Sequence, residues 1–286
     1  MRLRIIIITI GAVVVGTVAA AFAAGGDSRP ADPSSVVAAF YPLAYAAEQV
    51  GGAHIRVTNL TPAGVEPHDL ELSPDDVATV KSAGTVLLMG HGFQPQLERA
   101  ATDSNARVVT LLDTPGLGRV GNDPHVWLDP VRFATVAREI ATALGTSTAA
   151  DDLVARLDAL DDEYRRGLGR CARREVVTSH AAFGYLAARY GLVQVPLVGL
   201  QPEAEPGPRE VERLVDEVRA TGATTVFSEP LASPALADAV AREAGVATAV
   251  LDPLEGLTAD ETDAGADYFS VMEKNLDVLR TALGCR

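Results

Sequence analysis

From Val36 onward the chain alternates short apolar runs with longer amphipathic ones. Val36-Val37-Ala38-Ala39-Phe40 leads into a helical stretch from Pro42 to Val50, and Ile55 to Leu60 into another from Ser73 to Ser82. Thr85 to Met89, Pro95 to Ala101 and Arg107 to Leu112 continue the rhythm. Ser73-Pro74-Asp75-Asp76 is a helix start: a capping serine, a proline at the first helical position and acids in the first turn. Strands that alternate with helices predict βαβ units and a mainly parallel sheet.

Pro130 to Leu144 carries the apolar face Phe133, Val136, Ala137, Ile140, Ala141, Leu144 and stops at Gly145. Thr148-Ala149-Ala150-Asp151 restarts a helix with a capping-box-like signature. Leu153, Val154, Leu157, Leu160, Tyr164 and Leu168 extend it, with no glycine or proline before Gly167. After it the first half's rhythm returns: β-like over 175–178, 192–198, 224–227 and 246–251, helical over 181–190, 208–221, 233–244 and 266–283. The two halves share no close residue-level repeat. The expected fold is therefore α/β, with two lobes, each a mainly parallel sheet flanked by helices, joined by one long rigid helix. The boundaries are an N-terminal lobe over 36–147, the connecting helix over 148–170 and a C-terminal lobe over 171–286.

The first residues fall outside this pattern. Met1-Arg2-Leu3-Arg4 is a basic lead, Ile5 to Ala24 is apolar, and Ala21-Phe22-Ala23 resembles a cleavage signal, so 1–24 reads as a signal peptide or an uncleaved membrane anchor. Residues 25–35 read as a flexible tether. Export places the protein in the periplasm or at the outer cell surface, and no cysteine near the junction encodes a lipid anchor. The two cysteines, Cys171 and Cys285, are either two buried thiols or one disulfide, and export favours the disulfide. The formal net charge of −14 becomes −16 without Arg2 and Arg4, which argues against nucleic-acid or anionic-lipid partners.

Four polar residues occupy equivalent places, each after a β-like run and before a helical one. They are His68 in Gly64-Val65-Glu66-Pro67-His68-Asp69-Leu70, His125 in Asn122-Asp123-Pro124-His125-Val126-Trp127-Leu128-Asp129-Pro130, His180 in Val176-Val177-Thr178-Ser179-His180, and Asp252 in Leu251-Asp252-Pro253-Leu254-Glu255-Gly256. Ligands of open α/β sheets bind outside the carboxyl ends of the strands. Two lobes would bring His68 and His125 from one side to face His180 and Asp252 from the other. Three imidazoles and a carboxylate suit a divalent first-row metal, zinc above all. Unperturbed imidazoles near pKa 6.5 would let protons compete with the ion below roughly pH 6.

Taken as an ordered set, these four segments resemble the zinc/manganese-type (cluster A-I) metal substrate-binding proteins of ABC transporters, from about Val36 to the end. The resemblance implies an extracytoplasmic receptor, acting as a monomer, that captures a metal ion between two lobes and hands it to an ABC-type metal permease. It implies His68, His125, His180 and Asp252 as ligands, and histidine at 180 resembles the zinc branch rather than the manganese branch, which is the alternative. Gln201-Pro202-Glu203-Ala204-Glu205-Pro206 and Phe227-Ser228-Glu229-Pro230 look like family segments lining the C-terminal side, so Glu203, Glu205 and Glu229 are secondary candidates. The histidine-rich mobile loop of many zinc members is absent, since Asp113 to Asp123 holds no histidine. His91, after a strand, is a further candidate for a secondary site, and His54 reads as a solvated turn residue. A zinc hydrolase would need an open metal position beside a free general base, and four saturating ligands leave no such position, so no enzyme activity is expected. A metal-chelate receptor or an adhesin on the same fold is a further alternative; a chelate site needs a wide cleft with arginines or aromatics, whereas this ligand set converges on a bare ion.

Overall fold

The structure, a computed structural model, describes residues 32–204 and 206–286. The expected leader, most of the tether and Glu205 lie outside the described residues.

The N-terminal lobe runs β1 (Asp32–Ala38), α1 (Tyr41–Gly51), β2 (Arg56–Asn59), α2 (Pro74–Ser82), β3 (Ala83–Leu88), α3 (Pro95–Thr102) and β4 (Arg107–Thr110). Its four strands are all parallel, in the order β2-β1-β3-β4. Strand β1 begins at Asp32, so the last four residues expected in the tether belong to the sheet. Val36 to Phe40 is wholly buried, as a central parallel strand covered on both faces requires. The cap predicted at Ser73 is present as a full capping box with Asp76.

Two helices then lead out of the lobe, α4 (Pro130–Leu144) and α5 (Ala150–Leu168). The carboxylate of Asp129 caps α4 by accepting from the amides of Val131 and Arg132, and Gly145 closes it in a left-handed conformation at φ 74°. Helix α5 starts differently from the sequence expectation. A 3-10 turn over Ser147–Ala149 runs straight into it, and no side chain caps it. The helix packs on α1 and α4 on one side.

The C-terminal lobe runs β5 (Glu175–Thr178), α6 (Gly184–Tyr190), β6 (Val193–Pro196), α7 (Pro208–Thr221), β7 (Thr225–Ser228), α8 (Ala235–Ala244), β8 (Ala247–Val250), α9 (Ala259–Asp263) and α10 (Tyr268–Leu283). Its strands are again parallel, in the order β6-β5-β7-β8, the same topology as the first sheet. The short α9, with a Thr258–Glu261 capping box, is an element the apolar pattern does not announce, because it buries no residue.

The larger hydrophobic core is continuous across both lobes. It runs from the first sheet through Leu157, Leu160 and Tyr164 of α5 to Phe183, Tyr268, Met272 and Leu279. The Tyr164 hydroxyl donates to the Met272 carbonyl at 2.6 Å, fixing α5 to α10. A smaller core, around Val177, Leu214, Val218, Val226 and Val240, lies between the second sheet and α7 and α8. Cys171 and Cys285 form a disulfide that ties the end of α10 to the segment just after α5. No helix among the described residues is long and apolar enough to cross a membrane.

Candidate metal centre

Each sheet delivers functional side chains from the carboxyl ends of its strands. His68 lies in a one-turn 3-10 helix (Pro67–Asp69) after β2, where the Glu66 carboxylate accepts from its amide at 3.2 Å. His125 lies between β4 and α4, and the Trp127 ring beside it packs edge-on against Phe40 at 4.8 Å between centroids. His180 follows β5 directly, and the loop after β8 supplies a carboxylate.

That carboxylate belongs to Glu255 and not to Asp252. His68, His125, His180 and Glu255 place one donor atom each within 4.8 Å of one another. Glu255 Oε1 is 3.0 Å from His68 Nε2, 2.9 Å from His125 Nε2 and 3.6 Å from His180 Nε2, and the two last nitrogens are 3.3 Å apart. Tetrahedral ligands about 2.0–2.1 Å from a zinc ion lie about 3.3 Å apart, and these four separations bracket that value. His125 and His180 are fully buried and Glu255 is 1% exposed. Among the described residues, one oxygen of Glu255, one of Asp252 and Nδ1 of His68 are buried without a hydrogen-bond partner.

Outer partners orient two of the rings. His125 Nδ1 is 2.7 Å from Asp123 Oδ1, and His180 Nδ1 is 2.6 Å from Glu229 Oε2. A carboxylate on Nδ1 takes that N–H and leaves Nε2 as the lone-pair donor aimed at the centre. Three lone pairs and a carboxylate facing one point repel each other unless protons or a cation sit among them. In the ion-free protein, protons do this. Burial opposes the charged form of His180, but its bonds to Glu229 and Glu255 outweigh burial and raise it to about 10. His125 is likewise raised, burial again being overcome, here by Asp123 and Glu255. Burial would push the Glu255 carboxyl up, yet bonds from His125, His180 and His68 hold it well below the usual range. Beside it, burial and the Glu255 charge push Glu66 up to about 9.

Asp252 has a different task. Its Oδ1 accepts from the Leu254 amide at 2.7 Å, its backbone pairs with the Asn275 side chain on α10, and burial raises its carboxyl to about 7. Leu254 is held in the left-handed region at φ 55°, a conformation that costs an ordinary residue about 1–2 kcal/mol. Trp127 Nε1 donates to the Pro253 carbonyl at 2.8 Å and clamps the same turn from the other lobe. The turn so held carries the next side chain, Glu255, into the cluster. Both acids lie in the segment singled out from sequence, but choosing between them depends on Leu254, whose backbone conformation residue type alone does not announce.

The remaining candidates disperse. Glu229 supports His180 from outside the cluster. Glu203 is exposed in the loop after β6, beside a cavity of about 360 Å³ that Ser179 and Ala232 also line. His91 bonds to Asp113 at 2.8 Å at the surface, in a left-handed turn between Gly90 and Gly92, and is not one of the clustered residues. Asp123 and Glu66, not foreseen, sit two residues before His125 and His68, a spacing that marks them as neighbours in the same turns.

Two parallel-sheet lobes of the same strand order, closing on a buried three-histidine, one-carboxylate centre, define a two-lobed solute-binding protein. Residues 36–282 match the family described as ZnuA, zinc-uptake complex component A, periplasmic, and the chain belongs to that family. It is 34% identical over 275 residues to the zinc-binding lipoprotein AdcA of Streptococcus pneumoniae serotype 4, covering 86% of this chain and 55% of AdcA. The chain thus spans about half the length of the AdcA relatives it matches. It is 30% identical over 288 residues to the high-affinity zinc uptake system protein ZnuA of Bacillus subtilis, covering 91% of this chain and 90% of that protein. The Zn(II)-bound ZnuA-like domain of Streptococcus pneumoniae AdcA superposes with a TM-score of 0.75 at 36% identity, over 87% of this chain and 98% of that domain.

Proposed function

We propose that this chain captures a zinc ion outside the cytoplasm, in the cleft between its lobes, and delivers it to an ABC-type membrane permease. His68, His125 and His180 bind the ion through Nε2 and Glu255 through its carboxylate; Asp252 shapes the turn that presents Glu255. The observation that carries this reading is the convergence of four buried donor atoms from both lobes within 4.8 Å of one another. Borderline nitrogen donors with one carboxylate favour zinc over manganese. Kinship with proteins named for zinc binding and zinc uptake supports the same cargo. The role is reception and not catalysis, because four protein donors fill a tetrahedral shell and leave no open position for an activated water.

Elemental analysis of the purified, untagged protein, followed by competitive titration, tests the cargo. The Glu255→Ala and Asp252→Asn pair tests the ligand set. Glu255→Ala should weaken zinc roughly a hundredfold or more, given about 10–16 kcal/mol for four-ligand zinc sites shared over four ligands. Asp252→Asn keeps the bond to Leu254 and should change affinity less than about threefold, since a neutral amide oxygen still accepts from that amide. The reverse order of effects would return Asp252 to the ligand set.

A further inference from the structure

A single helix of the C-terminal lobe grips the His125 segment on both of its flanks. On α6, which begins shortly after His180, Tyr185 and Arg189 are four residues apart and share a face. The Tyr185 hydroxyl accepts from the Val120 amide at 2.8 Å and donates to the Asp123 carbonyl at 3.2 Å, upstream of His125. Downstream, Arg189 Nε is 3.2 Å from Asp129, which is fully buried, and 2.6 Å from Asp161 of α5. Arg132 lies over the Tyr185 ring, 5.0 Å from its centroid, and pairs with Asp129.

Asp129 needs no second cation to complete its cap. Its carboxylate already accepts from Val131, Arg132 and the Arg132 guanidinium within its own helix. What Arg189 adds is a tie between lobes. Arg189 is the cation that the buried Asp129 and Asp161 share, and removing it would leave the two carboxylates facing each other with one positive charge fewer, so such a tie resists loosening. The same helix that follows His180 therefore holds Asp123 and Asp129, and His125 is suspended between them.

We propose that Tyr185 and Arg189 are positioning residues that fix the spacing between His125 and His180, so that this pair is assembled across the lobes before the ion arrives. The inference rests on the reading of the four-donor cluster as the ion site. Neither side chain touches a donor atom; both act through the backbone and cap of the His125 segment. Arg165 supplies a control from the same network. It bonds Asp161 at 2.7 Å, is largely exposed, and has no contact with Asp129.

The test loads the full chain with cobalt(II), whose visible spectrum reports ligand number and geometry, and follows cobalt dissociation into excess chelator. Arg189→Met should speed dissociation about tenfold or more, the lower end of the range for outer partners of metal ligands, and should weaken the tetrahedral band. Arg189→Lys should recover part of both, and Arg165→Met should leave both at the wild-type values. Tyr185→Phe loses only a hydroxyl and should move both readouts in the same direction; it carries the test should Arg189→Met not fold. Wild-type rates and spectra in Arg189→Met and Tyr185→Phe, or changes no larger than those of Arg165→Met, would overturn the positioning role while leaving the ion site standing. Wild-type protein that takes up neither cobalt nor zinc would overturn the ion site, and this proposal with it.

Discussion

His125 enters the cluster with Nδ1 on Asp123, with Trp127 bonded to Pro253 of the facing lobe, and with Asp129 held by Arg189. His68, from the same lobe and just as close to Glu255, has a buried Nδ1 without a partner among the described residues and packs edge-on against the Phe93 ring, 4.7 Å between centroids. Both rings are buried, so burial does not separate them. The difference lies on the outer side of each ring: a carboxylate on Nδ1 fixes the tautomer and angle of His125, while the Nδ1 side of His68 has packing alone. Under the role proposed above, His125 is a ligand set in advance and His68 one that pays its ordering cost only when the ion is present.

The comparison breaks most readily on alanine substitutions. His125→Ala should cost zinc affinity roughly a thousandfold, because the ligand is lost together with the preset half of the site. His68→Ala should cost roughly a hundredfold, near one quarter of a four-ligand binding energy. Equal losses in a competitive titration would mean that the two rings are equally preorganised.

A smaller effect is expected one layer out. Asp123→Asn and Glu229→Gln leave every donor atom in place but weaken the hold on Nδ1 of His125 and His180, and each should lower zinc affinity about 10- to 100-fold. His68 has no such partner to lose. Zinc titrations of both variants that matched wild type would show that packing orients all three rings.

The smallest effect is a sharpening by pH. The folded-state pKa of His180 is raised to about 10 from an ordinary value of 6.5. A raised pKa contributes stability that is complete below about pH 6.5 and fades as pH climbs toward about 10. The thermal midpoint of the ion-free protein should therefore drift down over that interval. Zinc competes with the same proton, so its apparent affinity should rise over the same interval. Proton competition then extends well above neutrality, where an unperturbed imidazole would confine it below roughly pH 6. Calorimetry in buffers of different ionisation enthalpy should detect proton release on zinc binding at pH 8; release of no protons there would contradict the raised value.

What could be read from sequence was whatever periodicity and punctuation announce. Runs such as Val36–Phe40 and Glu175–Thr178, with helical faces between them, yield both parallel sheets, and the place of His68, His125 and His180 after such runs yields three of the four clustered residues. The fourth clustered residue is Glu255, three positions after the Asp252 that the sequence pattern points to, because the two flank a left-handed Leu254 and leucine gives no sign of that conformation. Helix α9 stayed hidden because it buries nothing, and the start of α5 because tertiary packing, not the Thr148 side chain, sets it. The continuity of the larger core through Tyr164 and Met272 was also invisible, since residue patterns mark a buried face without naming what covers it.

The Cys171–Cys285 disulfide closes a span of 114 residues. Every loop of the C-terminal lobe, including the exposed one over 199–204, lies inside that span. A protease that cuts there leaves both pieces on one covalent molecule, which runs at full mass on a non-reducing gel and separates only when the sulfur bridge is reduced. In the extracytoplasmic role proposed above, where disulfides persist, a nick in this lobe would leave the lobe attached.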